Sequence, residues 1–283
     1  MFIQNRYTIT YHEPFGDAYF VGPERRFSRY EADRSASGFS DVTYKSAMDD
    51  IEAMCQLAAG QVSRLLSGFL ILLLTVLKEK RLFIKDMAYF LVPSPGEKCG
   101  LACSFVNFPP EDQNPTLLPK QELEKFHFTF LIRHPRLSFA SYYRLSSPSH
   151  KDKSKVSKFN PTDVGYTQLR CLFDYLKSEK LIGSHDPLQN GAKSKEPPVQ
   201  ICLVDAEDLL RQPEAIMKAY CKSTGISYDA SMRQWGDLQD QEKAAKIINR
   251  WGFEAYFHRQ VLDSTSLGLQ VAVGDTESVA LVA

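Results

Sequence analysis

The chain has no excess of either charge: 34 lysines and arginines are matched by 34 aspartates and glutamates. That balance removes the broad basic face on which nucleic-acid and anionic-membrane binders depend, so neither partner is expected. No CxxC pair occurs among the six cysteines (Cys55, Cys99, Cys103, Cys171, Cys202 and Cys221), and no histidine cluster adjoins them. Cys99 and Cys103 come nearest to metal-ligand spacing, but a second pair is missing, and no metal is expected. The N-terminal stretch MFIQNRYTIT is polar and β-prone, without the basic-then-apolar pattern of a secretory leader. Free thiols in a reducing cytoplasm are therefore expected. Long apolar runs are lacking too. The longest, Leu65 to Leu77, falls short of the ~20 residues that a membrane-spanning helix needs.

What is present suits a packed globule. Hydrophobic residues make up 43% of the 283, and aromatic residues 12%. One α/β domain over residues 1–283 is expected. Residues 93–120 (from PSPGEKCG to TLLPK), 146–162 and 183–198 are rich in Pro, Gly, Ser and Lys and read as loops. The stretch VSRLLSGFLILLLTVLK (62–78) has two readings. One is a buried helix. The other is an insert from a retained in-frame intron, because Gln61-Val62-Ser63 can be encoded as a splice donor and Lys78 as an acceptor end. Genomic codons without those dinucleotides would exclude the second.

Short apolar strands alternate with helical patterns. YTITY precedes His12, RLFIKDMAYFLV spans 81–92, HFTFLIRHP spans 127–135, and VQICLVDAEDLL spans 199–210. The helix PEAIMKAYCKSTG (213–225) ends on a glycine suited to a C-cap. Such alternation predicts a parallel sheet with helices on both faces. Ligands then bind at the carboxyl ends of the strands, which brings forward Asp86, Arg133, Asp205 and Asp208.

Arg133 enters a basic turn, Arg133-His134-Pro135-Arg136, and Ser138 and Ser141 follow in the next helix. A guanidinium fork and a hydroxyl near a helix N-terminus can hold a phosphate. An arginine paired with a neighbouring carboxylate, and serines that merely cap a helix, fit the same residues. His12 and Glu13 follow a strand and would face a cleft, either for acid–base work or as structural hydrogen-bonding groups. Tyr19, Arg25 and Arg26 fall on a polar stretch expected to be exposed, and Tyr44 and Lys45 could line a pocket.

The pattern Arg-x-Pro-x-x-x-x-x-Ser-Tyr-Tyr after an apolar strand resembles the 3′-phosphate motif of the cytosolic sulfotransferases. A fungal sulfotransferase-like group is similar over more of the chain. The matching stretches are His-Glu-Pro-Phe-Gly-Asp-Ala (12–18), Gly-Pro-Glu-Arg (22–25), Phe-Ile-Lys-Asp-Met-Ala (83–88) and Phe-Leu-Ile-Arg-His-Pro (130–135). The resemblance implies a three-layer, P-loop-like α/β fold and 3′-phosphoadenosine 5′-phosphosulfate as co-substrate. It implies 3′-phosphate contacts at Arg133 and Ser141, with Arg136 as a further cation. Glu13, Lys85 and His258 become the expected substrate contacts, and Asp86 or His12 the expected base. The acceptor would be a small hydrophobic molecule, and nothing in the residues sets an oligomeric state.

Three elements depart from the family pattern. No Pro-Arg-Ser-x-Ser-Thr loop is present, so the domain is expected to be N-terminally incomplete, with Met1 starting inside it. Asp86 stands where the cytosolic enzymes carry a catalytic histidine; a buried carboxylate can serve as a base if its pKa rises toward neutrality. The C-terminal Arg-Lys-Gly loop is replaced by NRWGFEAYFHRQ, which offers Arg250, His258 and Arg259. The expectations are therefore three: a sulfotransferase, a repurposed fold acting as a cofactor-free isomerase, cyclase or binding protein, or an incomplete gene product.

Overall fold

A computed structural model of the chain describes residues 2, 5–28, 30–58, 80–97, 99–145, 164–183 and 201–233, together with 239, 242, 243, 246 and 247. The 62–78 stretch, the 146–162 loop, residues 184–198, Arg250, His258 and Arg259 lie outside the described residues.

The described chain runs β1 (Thr8–His12), α1 (Pro14–Phe20), α2 (Tyr44–Ala58), β2 (Arg81–Lys85), α3 (Ala88–Leu91), α4 (Lys120–Leu123), β3 (Thr129–Ile132), α5 (Pro135–Leu145), α6 (Tyr166–Ser178), β4 (Cys202–Asp205), α7 (Ala206–Arg211) and α8 (Pro213–Thr224). The strands are made of β-branched and bulky apolar residues, which suit a pleated, half-buried surface. Prolines open α1, α5 and α8, where a fixed φ and a missing N–H cost nothing. Gly225 closes α8 at a positive φ of 68°, with its N–H bonded to the Cys221 carbonyl. That is the cap expected of the glycine.

All strand pairing among the described residues is parallel. β1 lies beside β2 from Thr8↔Arg81 to His12↔Lys85, and β3 beside β4 from Thr129↔Cys202 to Ile132↔Asp205. The continuous sheet expected from the pattern is here two separate two-stranded ladders, and no strand joins them among the described residues. Alternation sends successive side chains to opposite faces. Tyr11, Leu82 and Ile84 pack on the larger apolar cluster with Phe130, whereas Phe83 and Val204 pack on a smaller one. The molecule is thus a mixed α/β structure of small parallel sheets and helices.

The larger cluster is dominated by aromatic rings. Every residue of α1 is buried, and Tyr19 touches Phe20, Phe27, Tyr89 and Phe90 with centroids 4.8–6.5 Å apart. The exposure expected of Tyr19 is therefore corrected: Pro14 starts a helix that turns its whole surface inward. Tyr44, expected at a pocket, is also interior. It is fully buried, and its hydroxyl donates to the Phe90 carbonyl at 2.8 Å. Lys45 pairs with Asp49 one turn along α2. Residues 93–97 and 99–119 form turns and irregular chain rather than helix or strand, yet they are anchored. The Leu117 N–H donates to the Leu91 carbonyl, and Asn114 and Thr116 both donate to the Leu118 carbonyl at 2.8 Å.

Candidate functional site

Parallel pairing brings two strand ends together in each ladder, and each pair of ends carries a cluster of charged side chains. In the first ladder His12 and Lys85 are register partners at the ends of β1 and β2. The next residue, Glu13, donates its N–H to the Lys85 carbonyl at 2.7 Å and then turns into α1 with φ 50° and ψ 52°. A non-glycine residue in the left-handed region is strained by about 1–3 kcal/mol and persists only where its surroundings hold it. Here the carboxylate of Glu13 pairs with the Lys85 ammonium and lies 3.7 Å from Nε2 of His12. Lys85 Nζ also sits 3.2 Å from Sδ of Met87.

Asp86 completes this cluster. Its Oδ2 accepts the N–H of Phe15 at 3.1 Å, and its Oδ1 accepts the N–H of Met87 at 2.8 Å. The first bond satisfies one of the orphan donors at the start of α1, from 71 residues away. Burial of the carboxyl pushes its pKa up to about 7, helped by the negative charge of Glu13. The two backbone N–H groups and Lys85 pull the other way and do not cancel the burial.

In the second ladder Arg133 leaves β3 beside the start of α7. Nε of Arg133 donates to Oε1 of Glu207 at 3.2 Å; the arginine side chain is 9% exposed and the glutamate 30%. Neither Nη1 nor Nη2 has an acceptor among the described residues. Glu207 is held by its own N–H, which donates to Oδ1 of the N-cap residue Asp205 at 2.8 Å. The Tyr166 hydroxyl donates to the Arg133 carbonyl at 2.6 Å, while its ring stacks on Phe139. Ser141 lies eight residues beyond Arg133 in α5 and is buried; His134 and Arg136 are exposed at its start. The structure thus brings together His12, Glu13, Lys85 and Asp86 in one cluster. Arg133 stands in the other, with Arg136 and Ser141 further along the helix that follows.

Two curated relatives match the chain. It is 30% identical over 132 residues to sulfotransferase ppzF of Metarhizium rileyi, and 28% identical over 130 residues to sulfotransferase ppzF of Metarhizium majus. The chain is similar to known sulfotransferases. Each alignment takes in 46% of this chain, which spans about a third (36%) of the length of either relative. No family model and no solved structure matches it.

Three residues at or near these clusters were not singled out in the sequence. Glu207 and Tyr166 hold Arg133 from either side, and Glu24 ties distant backbone together behind α1. Only Glu207 had a legible signal. It stands two residues past β4, and the register of Ile132 with Asp205 places it next to the exit of β3. Among the described residues no group of three or more His, Cys, Asp and Glu is placed to hold a metal ion, and no helix is long and apolar enough to cross a membrane.

Proposed function

We propose that this protein is sulfotransferase-like and moves a sulfuryl group from 3′-phosphoadenosine 5′-phosphosulfate to a hydroxyl of a small hydrophobic molecule. The observation that carries the reading is Arg133. A guanidinium nine-tenths buried at a strand's carboxyl end, with its outer nitrogens uncommitted among the described residues, suits an oxyanion such as the donor's 3′-phosphate. The names of the two relatives support the same chemistry. In the transfer the acceptor oxygen attacks sulfur, the bond from sulfur to the bridging phosphate oxygen breaks, and adenosine 3′,5′-bisphosphate leaves. The hydroxyl proton goes to Asp86, whose pKa of about 7 lets it accept a proton near neutrality; His12 stands beside Glu13 in the same cluster.

The test is calorimetry with adenosine 3′,5′-bisphosphate on the wild type and on Arg133→Ala. Saturable heat from the wild type and none from the variant is the expected result. A wild type that gives no heat excludes the donor.

A second reading is favoured by the state of Lys85, the cation at the end of β2, which Glu13 already neutralises. The cluster of His12, Glu13, Lys85 and Asp86 would then transfer protons within an acceptor-like substrate, as a cofactor-free isomerase or cyclase does. This reading requires no bisphosphate binding, so the same titration separates the two.

A further inference from the structure

We infer that Glu207 is the positioning residue of an anion clamp: it fixes Nε of Arg133 so that Nη1 and Nη2 are presented to a phosphoryl or sulfuryl oxygen. The inference rests on reading Arg133 as an anion ligand and names the residue that orients it. The register carries the geometry. Ile132 pairs with Asp205, so the first residues beyond the ladder leave side by side, and Glu207 reaches Arg133 from the first turn of α7.

Both partners are held from behind. Asp205 anchors the backbone of Glu207 at 2.8 Å, and Tyr166 anchors the Arg133 carbonyl at 2.6 Å. A carboxylate that existed to neutralise this arginine would take two N–H groups in a parallel fork. Glu207 takes one, at the inner nitrogen, and among the described residues nothing occupies the outer edge of the guanidinium. The glutamate is 30% exposed and keeps part of its hydration, whereas the arginine is 9% exposed. The contact therefore orients the cation more than it quenches its charge. The opposite role, a gate that an anion must displace, would call for the carboxylate to occupy the outer edge.

Titrations of the whole chain with inorganic pyrophosphate and with adenosine 3′,5′-bisphosphate, on the wild type, E207Q and E207A, test the assignment. E207A is expected to bind about tenfold more weakly, the effect of one charge-assisted hydrogen bond on the guanidinium. E207Q keeps an amide oxygen for Nε and is expected to bind within about twofold of the wild type. Affinity in E207A equal to or tighter than the wild type overturns the positioning role. Thermal midpoints guard against a purely structural effect. If both variants melt earlier and both bind like the wild type, Glu207 only stabilises the fold and the inference is wrong. A wild type that binds pyrophosphate but not the bisphosphate removes the proposed donor, while the comparison of variants still decides the role of Glu207. A wild type that binds neither anion overturns the clamp itself.

Discussion

Asp86 is a carboxyl group set where its charge is poorly tolerated and its oxygens are nevertheless both used. It accepts one N–H at the start of α1 and one from the residue that follows it. Its folded pKa of about 7 stands above the ordinary value of 3.8, because burial and Glu13 together outweigh those two bonds. Between these values the folded chain holds a proton that the unfolded chain has lost. The stability linked to Asp86 is thus complete below about pH 4 and is lost as pH rises through about 7. Asp86→Asn cannot lose a proton, so its melting temperature relative to the wild type should climb across that window and level off above it. Parallel thermal melts of the two proteins from pH 4 to pH 9 would measure this. A constant offset between them would mean that the carboxyl titrates as an exposed one does. The same raised pKa is what a base needs near neutral pH, so structural cost and proposed chemistry meet in one side chain.

At the scale of elements, the Gly22-Pro23-Glu24-Arg25 turn locks α1 to α2 and to the loop beyond α3. A methyl group on Gly22 would lie 2.0 Å from the Val42 carbonyl oxygen and 3.0 Å from Cα of Ala18, both backbone atoms that cannot step aside. Glu24 accepts the Tyr44 N–H at 2.9 Å, the Ser104 N–H at 2.6 Å and the Ser104 hydroxyl at 2.8 Å. Gly22→Ala should cost about 3 kcal/mol or more in urea unfolding, as overpacking does. Gly16→Ala should cost less, because its methyl group would meet the far edge of the Phe90 ring at 3.2 Å and Cβ of Glu13 at an ordinary 3.6 Å, with no backbone atom closer. Equal losses would show that the Val42 contact relaxes freely. These elements also mark how far the sequence could be read. The four strands and the helices that begin at Pro135 and Pro213 were legible, since strand patterning and proline act within a few residues, whereas the buried helix at Pro14 was not. The strand-end rule likewise placed Asp86 and Arg133 just past β2 and β3, where they lie. Glu24 stayed hidden because its Ser104 partner lies 80 residues away, and Glu207, although its place just past a strand was legible, was passed over because nothing local ties it to Arg133, 74 residues away. Tyr19 and Tyr44 escape a local reading for a related reason: a tyrosine suggests a surface until distant rings are seen to cover it or a distant carbonyl to accept its hydroxyl.

Across the whole molecule, the two ladders share no strand among the described residues, and the smaller apolar cluster connects them instead. Phe2 stacks on Phe83 of β2 with ring centroids 3.8 Å apart and meets Tyr220 of α8 at 5.4 Å. The Tyr220 hydroxyl in turn lies 3.0 Å from the Thr129 hydroxyl of β3. Asn5 adds a bond from its side chain to the Ser227 carbonyl at 2.9 Å. One ring near the start of the chain therefore stands between the acid–base cluster's ladder and the arginine's ladder. An isolated two-stranded sheet is marginal in water, so each ladder depends on the cores that cover it. Phe2→Ala should cost about 3–5 kcal/mol, the usual loss for a buried phenylalanine. If the ring couples the ladders, the slowest amides of β2 and β3 should lose hydrogen-exchange protection by the same factor, as parts of one cooperative unit do. Faster exchange confined to residues 5–12, with β3 and β4 unchanged, would mean that the ladders unfold independently. A common loss would mean instead that packing around Phe2 helps keep Asp86 and Arg133 in one folded body, which a reaction using both requires.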